Sequence, residues 1–165
     1  MRLILGLLLA FVAANTAAKW TYESRRDEMR DTLTESYQST SLNKLNFKFP
    51  YNGGSTGTLV VRRMNNEIDV IVVVDKGQVL CSRFECSITV KFDDSKPMNI
   101  GGNPPKSGRH DTVFLHNAQS LIERMKKSKI MLIELSYYQA GREVFKFDIE
   151  NLIWPPHRLA TPAKK

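Results

Sequence analysis

The chain has 165 residues, 42% of them hydrophobic, with 24 Lys and Arg against 17 Asp and Glu and a formal net charge of +7. That length suits one domain with a real core. The positive balance, spread without a long basic run, favours acidic partners such as anionic headgroups, acidic glycans or an acidic protein face.

The first segment, MRLILGLLLAFVAANTAAKW, has a positive start at Arg2, an apolar run from Leu3 to Ala14 and then small residues. This is the order of a removable secretory signal over residues 1–18, with cleavage after Ala14 or Ala18. The run is shorter than the about 20 residues that a bilayer crossing takes, so no stable membrane span is expected. No Cys directly follows it, so a lipid-anchored mature terminus is not expected. Export argues against nucleic acid as a partner and places the protein in the periplasm or outside the cell.

Residues 21–50 mix charged and Thr/Ser-rich stretches before the loop signal YNGGSTG. Arg25 to Arg30 is compatible with a short helix, while Thr32, Thr34 and Tyr37 favour a strand. TLVVRRM, the turn NNE and IDVIVVVDKG read as a hairpin. Arg62 and Arg63 fall on opposite faces of the first of these strands, one open to solvent and the other set against an acid such as Asp69.

The only two cysteines, Cys81 and Cys86, follow. An oxidising compartment favours a disulfide between them. DVIVVVDKGQVLC and CSITVKFDD both read as strands, so the pair is expected to face each other at the end of a hairpin, with Cα atoms about 4.5 to 5.5 Å apart. Four intervening residues do not make a thioredoxin-type motif. Two cysteines are half of a zinc site, and His110, His116 and His157 do not complete it. Phe84 and Arg83, at the tip of the stapled loop, are candidate partner-binding residues, with Arg62 as a third.

Beyond the cysteines, Ile88, Val90 and Phe92 alternate with polar residues onto one face. SKPMNIGGNPPKSGRH reads as a loop with an optional edge strand at Met98 to Ile100, and DTVFLH as a strand. NAQSLIERMKKS is the one helix, near residues 117–127, with Asn117 as N-cap and Leu121, Ile122 and Met125 as the apolar stripe. Two strands around an AGRE turn close the domain, with Val144, Phe145 and Phe147 expected in the core. A disordered basic tail is expected over residues 155–165. The fold class is α+β, mainly antiparallel β, as a sandwich or rolled sheet with one packed helix. A single domain occupies 19–154.

No constellation argues for catalysis. Asp93-Asp94 reads as a solvated turn more readily than as an acid pair, and His110-Asp111 with Ser107 or Ser120 lacks a nucleophile elbow. His110 and His116 with Asp111 do not form a regular metal set, and YNGGSTG lacks the Lys of a phosphate loop. No catalytic residue, metal or cofactor is therefore assigned.

Trp20, RRDEM, FPYNGG, LVVRR, GQVLCSRFEC, VKFDD, KSKIMLIE and YYQAGREVFKFDIENLIW together resemble a family of small exported proteobacterial proteins, also carried by phages and mobile elements. That family is distantly similar to type VI secretion accessory proteins. The resemblance covers about residues 19–154 and implies an envelope protein without an assigned activity. The expectation is a non-enzymatic protein that binds another envelope component, or an inhibitor or immunity protein of the superinfection-exclusion kind that acts through the 81–86 loop.

Overall fold

Among the described residues, alternation of apolar and polar side chains in most strands and a helical apolar stripe give nine strands and one short helix. The computed structural model describes residues 20–82 and 85–156; residues 1–19, where a leader is expected over 1–18, Arg83, Phe84 and the tail beyond residue 156 lie outside the described residues. The strands are β1 (Thr21–Asp27), β2 (Thr32–Thr40), β3 (Gly57–Met64), β4 (Glu67–Val74), β5 (Cys86–Phe92), β6 (Met98–Asn103), β7 (Thr112–Leu115), β8 (Ile130–Tyr137) and β9 (Gly141–Asp148), and the helix is α1 (Ala118–Met125). They form a single sheet in the order β1-β2-β3-β4-β7-β6-β5-β8-β9, antiparallel throughout.

The sheet rolls up. Leaving β2, the chain runs along the outer edge of β9. Ser39 Oγ donates to the Asp148 carbonyl at 3.0 Å, and the Leu42 N–H to that of Lys146 at 2.7 Å. The Asn43 amide bridges two residues, donating to the Val144 carbonyl at 2.9 Å and accepting from the Lys146 N–H at 2.8 Å. The roll encloses Leu59, Val61, Ile88, Val90, Ile133, Phe145 and Phe147, all at 0% exposure. Full burial of each such side chain is worth about 1.5–3 kcal/mol, so this interior is the main source of stability.

The two ends of the roll differ. α1 buries Leu121, Ile122 and Met125 and packs against β4, at the end where β5 finishes and β8 begins. The opposite end, called the loop end here, carries the segments 41–56, 75–85, 104–111 and 138–140. Among the described residues β1 pairs only with β2, and it is exposed from Thr21 to Arg26.

The antiparallel class with one packed helix is as expected, and several local expectations are corrected. Residues 25–30 form no helix: they finish β1 and enter a turn in which Asp27 Oδ1 accepts the N–H groups of Met29 and Arg30 at 3.0 and 3.1 Å. β4 and β5 are not neighbours, because β7 and β6 lie between them, so the cysteines sit in a crossover rather than at a hairpin end. β6 is an interior strand and not an edge: Gly102, packed against Ile88 and Val113, lets it fit between β5 and β7. Asn117 precedes α1 in a left-handed conformation (φ 58°) without a side-chain cap bond. Val144 is 36% exposed, since alternation sends it outward when Phe145 points in.

Candidate functional site

The β4–β5 crossover runs over the loop end and is pinned on both flanks. Val79 N–H donates to the His110 carbonyl at 2.8 Å, Leu80 N–H to that of Ser136 at 2.8 Å, and Tyr138 N–H to that of Gln78 at 2.9 Å. Gly77 (φ 117°) lies against the Phe47 ring, which leaves no space for a Cβ, and Phe47 in turn packs on Tyr137 at 4.9 Å between centroids.

The crossover ends in a stapled turn. Cys81 and Cys86 form a disulfide with Cα atoms 4.2 Å apart. Inside it, Ser82 Oγ and N–H both donate to the Glu85 carbonyl at 2.8 Å, and Ser82 Oγ accepts from the Glu85 N–H at 3.1 Å. A short closed loop stabilises through chain entropy by about 2 kcal/mol. The base of the turn is thus fixed both covalently and by hydrogen bonds. The tip residues Arg83 and Phe84 lie outside the described residues.

Beside this turn opens a cavity of about 290 Å³, with Cys81 and Ser82 on one wall and Pro104, Lys106, Arg109 and His110 on the other. The Arg109 guanidinium grips Asp111 through two bonds, at 2.9 and 2.6 Å, and Thr112 Oγ1 donates to the same carboxylate at 2.8 Å. The Arg109 hydrogen bond, followed by that from Thr112, holds the Asp111 carboxyl below its usual range. Arg109 is therefore largely neutralised, whereas the Lys106 and His110 side chains make no hydrogen bond or ion pair among the described residues. The cavity consequently presents a cation and an imidazole to solvent, a donor set that suits an anionic group.

At the same end of the roll the 44–54 loop projects. Its base is anchored by the buried Leu45 and Phe47, by paired backbone bonds between Leu45 and Ser55, and by Ser55 Oγ donating to the Lys76 carbonyl at 2.6 Å. Its tip, Phe49, is 83% exposed. Lys44 and Lys48 have no ion pair among the described residues, and Lys76 reaches only the Asn52 carbonyl, at 3.5 Å. Asp75 is the neighbouring carboxylate, and no other Asp or Glu occurs between Glu35 and Glu67.

The other sequence candidates are dispersed. Arg62 lies opposite Asp69 and donates to it at 3.0 and 2.5 Å while stacking over Phe114, 5.5 Å from the ring centroid. Arg63, on the other face, is paired with the buried Glu35 at 3.0 and 2.6 Å. Asp93 accepts from the backbone N–H groups of Ile130 (2.8 Å) and Lys129 (3.0 Å); the Ile130 bond leads in lowering its pKa. It ties the end of β5 to the start of β8. The seven residues of β5, about 20 Å of strand, separate Asp93 and Asp94 from His110, so these three do not share a site. Asp111 serves Arg109 and not His110, and Ser120 lies on α1 at the far end.

One juxtaposition escaped the sequence reading. The Glu85 carboxylate and the His116 imidazole converge over Gly101, in the space that a Cβ there would occupy. The only sequence signal is a Gly-Gly pair inside a strand, which marks close approach without naming what approaches. Among the described residues no group of three metal-ligating side chains forms, and no helix is long and apolar enough to cross a membrane. No family model, no curated protein and no solved structure matches the chain.

Proposed function

We propose that the protein is an exported, non-enzymatic binding module that engages an acidic group of another envelope component at its loop end. The observation that carries this reading is the cavity between the stapled turn and the 104–110 loop, where the Lys106 and His110 side chains have no partner among the described residues. Its volume lies at the lower limit of small-molecule sites, which suits an acidic side chain or terminal carboxylate of a partner better than a whole cofactor. The basic 44–54 loop with its exposed Phe49 lies at the same end of the roll and adds an aromatic anchor beside exposed lysines. The leader-like start and the family resemblance supply the exported setting.

A second reading, an inhibitor or immunity protein whose 81–86 turn plugs an enzyme or channel, draws on the covalent fixation of that turn. Preorganised loops bind with a smaller entropy loss.

Photo-crosslinking in intact cells tests the first reading, with the probe at position 106 and a control at position 124 on the exposed face of α1. A discrete protein adduct from position 106, absent from 124, is the expected result. The same adducts from both positions, or none from 106, would overturn it. An adduct with a channel or enzyme whose activity the protein blocks would favour the second reading.

A further inference from the structure

The structure assigns β1 as a self-complementary edge through which two copies of this chain pair into one continuous antiparallel sheet. An unpaired strand edge is a template for another strand, and proteins guard such edges with charge. β1 carries charge too, in the order Thr21-Tyr22-Glu23-Ser24-Arg25-Arg26-Asp27, and the arrangement of signs matters.

Which backbone groups face outward follows from the hydrogen bonds of β2. The Leu33 carbonyl accepts from Asn65 N–H at 3.2 Å, and Ser41 N–H donates to the Gly57 carbonyl at 2.8 Å, so the odd-numbered residues of β2 point their backbone groups towards β3. Even-numbered residues of β2 therefore bond to β1. They lie opposite Thr21, Glu23, Arg25 and Asp27. In β1 this leaves Tyr22, Ser24 and Arg26 with N–H and C=O directed away from the sheet.

A second copy related by a two-fold axis at Ser24 meets these groups in register. Ser24 faces its own counterpart, Tyr22 faces Arg26 of the other copy, and about six backbone hydrogen bonds form. Between them, in the close non-hydrogen-bonded positions, Glu23 faces Arg25 of the other copy, twice by symmetry. Tyr22 opposite Arg26 adds an aromatic–guanidinium contact. Shifting the axis by one residue either way sets Glu23 against Glu23 or Arg25 against Arg25, where like charges repel. One antiparallel register is thus selected by the charges. The contrast with the adjoining β1–β2 turn supports this: there Arg26 pairs with Asp31 and Arg30 with Asp27 inside one chain, whereas Arg25 has no ion pair among the described residues and Glu23 holds only Gln38 Nε2, at 3.0 Å.

Two strands of this length bury less than a standard interface, so the pair belongs to the weak, micromolar class. Sedimentation velocity over a concentration series, on the oxidised protein as the cell exports it, tests the assignment. A reversible dimer is expected for the native chain. Glu23→Arg and Arg25→Glu each place like charges opposite one another twice and weaken dimerisation roughly tenfold or more. The double variant Glu23→Arg/Arg25→Glu recovers the native affinity. Both side chains are exposed, so circular dichroism should be unchanged in all three variants. A chain that stays monomeric throughout, a dimer indifferent to the single variants, or a double variant that fails to recover overturns the proposal.

Discussion

Tyr137 offers a sharp test of the core. Its ring is 1% exposed, packed between Phe47 and Phe145 at centroid distances of 4.9 and 6.4 Å, and its hydroxyl has no hydrogen-bond partner among the described residues. Burial, with a smaller contribution from Glu143, pushes the phenol above its ordinary pKa. A desolvated hydroxyl without a partner costs about 1–3 kcal/mol, while the oxygen's own dispersion contacts return less than about 1 kcal/mol. Tyr137→Phe should therefore stabilise the fold by about 1 kcal/mol, raising Tm by about 3 °C. Urea unfolding of the oxidised proteins at neutral pH measures this directly, read from the midpoint at constant m. The sign of the pH dependence gives an independent check. In the unfolded chain the phenol ionises near pH 10, and in the folded chain it stays neutral; the native protein therefore loses about 1.4 kcal/mol per pH unit above 10 that the Phe variant keeps. A variant less stable by 1 kcal/mol or more at neutral pH, with no divergence above pH 10, would refute the reasoning and place a bound water on the hydroxyl.

Two further outcomes are expected. Replacing both cysteines, Cys81→Ser with Cys86→Ser, should cost about 2 kcal/mol in urea unfolding and leave the circular dichroism spectrum intact, because the disulfide closes one turn that Ser82 also holds; loss of the sheet signal would show that the staple supports the whole crossover. Asp93 has a lowered pKa through the Ile130 and then the Lys129 N–H bonds, so its stabilisation is present above the unfolded value near 3.9 and is lost as pH falls through the folded value. Asp93→Asn should accordingly flatten the decline of Tm on acidification below about pH 4, and an unchanged acid limb would remove Asp93 from that account.

Periodicity made faces legible and left neighbours hidden. Ile88, Val90 and Phe92 alternate in sequence and line the interior together, and Leu121, Ile122 and Met125 recur at helical spacing on the buried side of α1. Arg62 and Asp69, joined by a short turn, could be paired from their distance along the chain. The adjacency of β4 to β7 could not, because pairing across the sheet depends on which edges remain open when the chain returns. That long-range choice moved Cys81 and Cys86 from a hairpin to a crossover and put His110 beside them. β6 was misread because Gly101 and Gly102 carry no pattern; their absence of side chains is what lets it sit between two strands. The site suffered in the same way: Lys106 and Ser82 face one cavity only because two loops distant in sequence cross the same end of the roll.

Closing that roll has a kinetic cost. The bond from Ser39 to Asp148 spans 109 residues, whereas β3 and β4 meet across a turn of Asn65 and Asn66. Loop entropy grows with the logarithm of length, so bringing the two sides of this seam together costs about 3 kcal/mol more than closing a tight hairpin. The local hairpins form on their own timescale; the Asn43 clasp on β9 waits for the far end of the chain. A polypeptide that emerges through a narrow pore from its N-terminus therefore shows the rim of β2 to its surroundings for most of its passage, and the last strand to arrive is the one that shuts it.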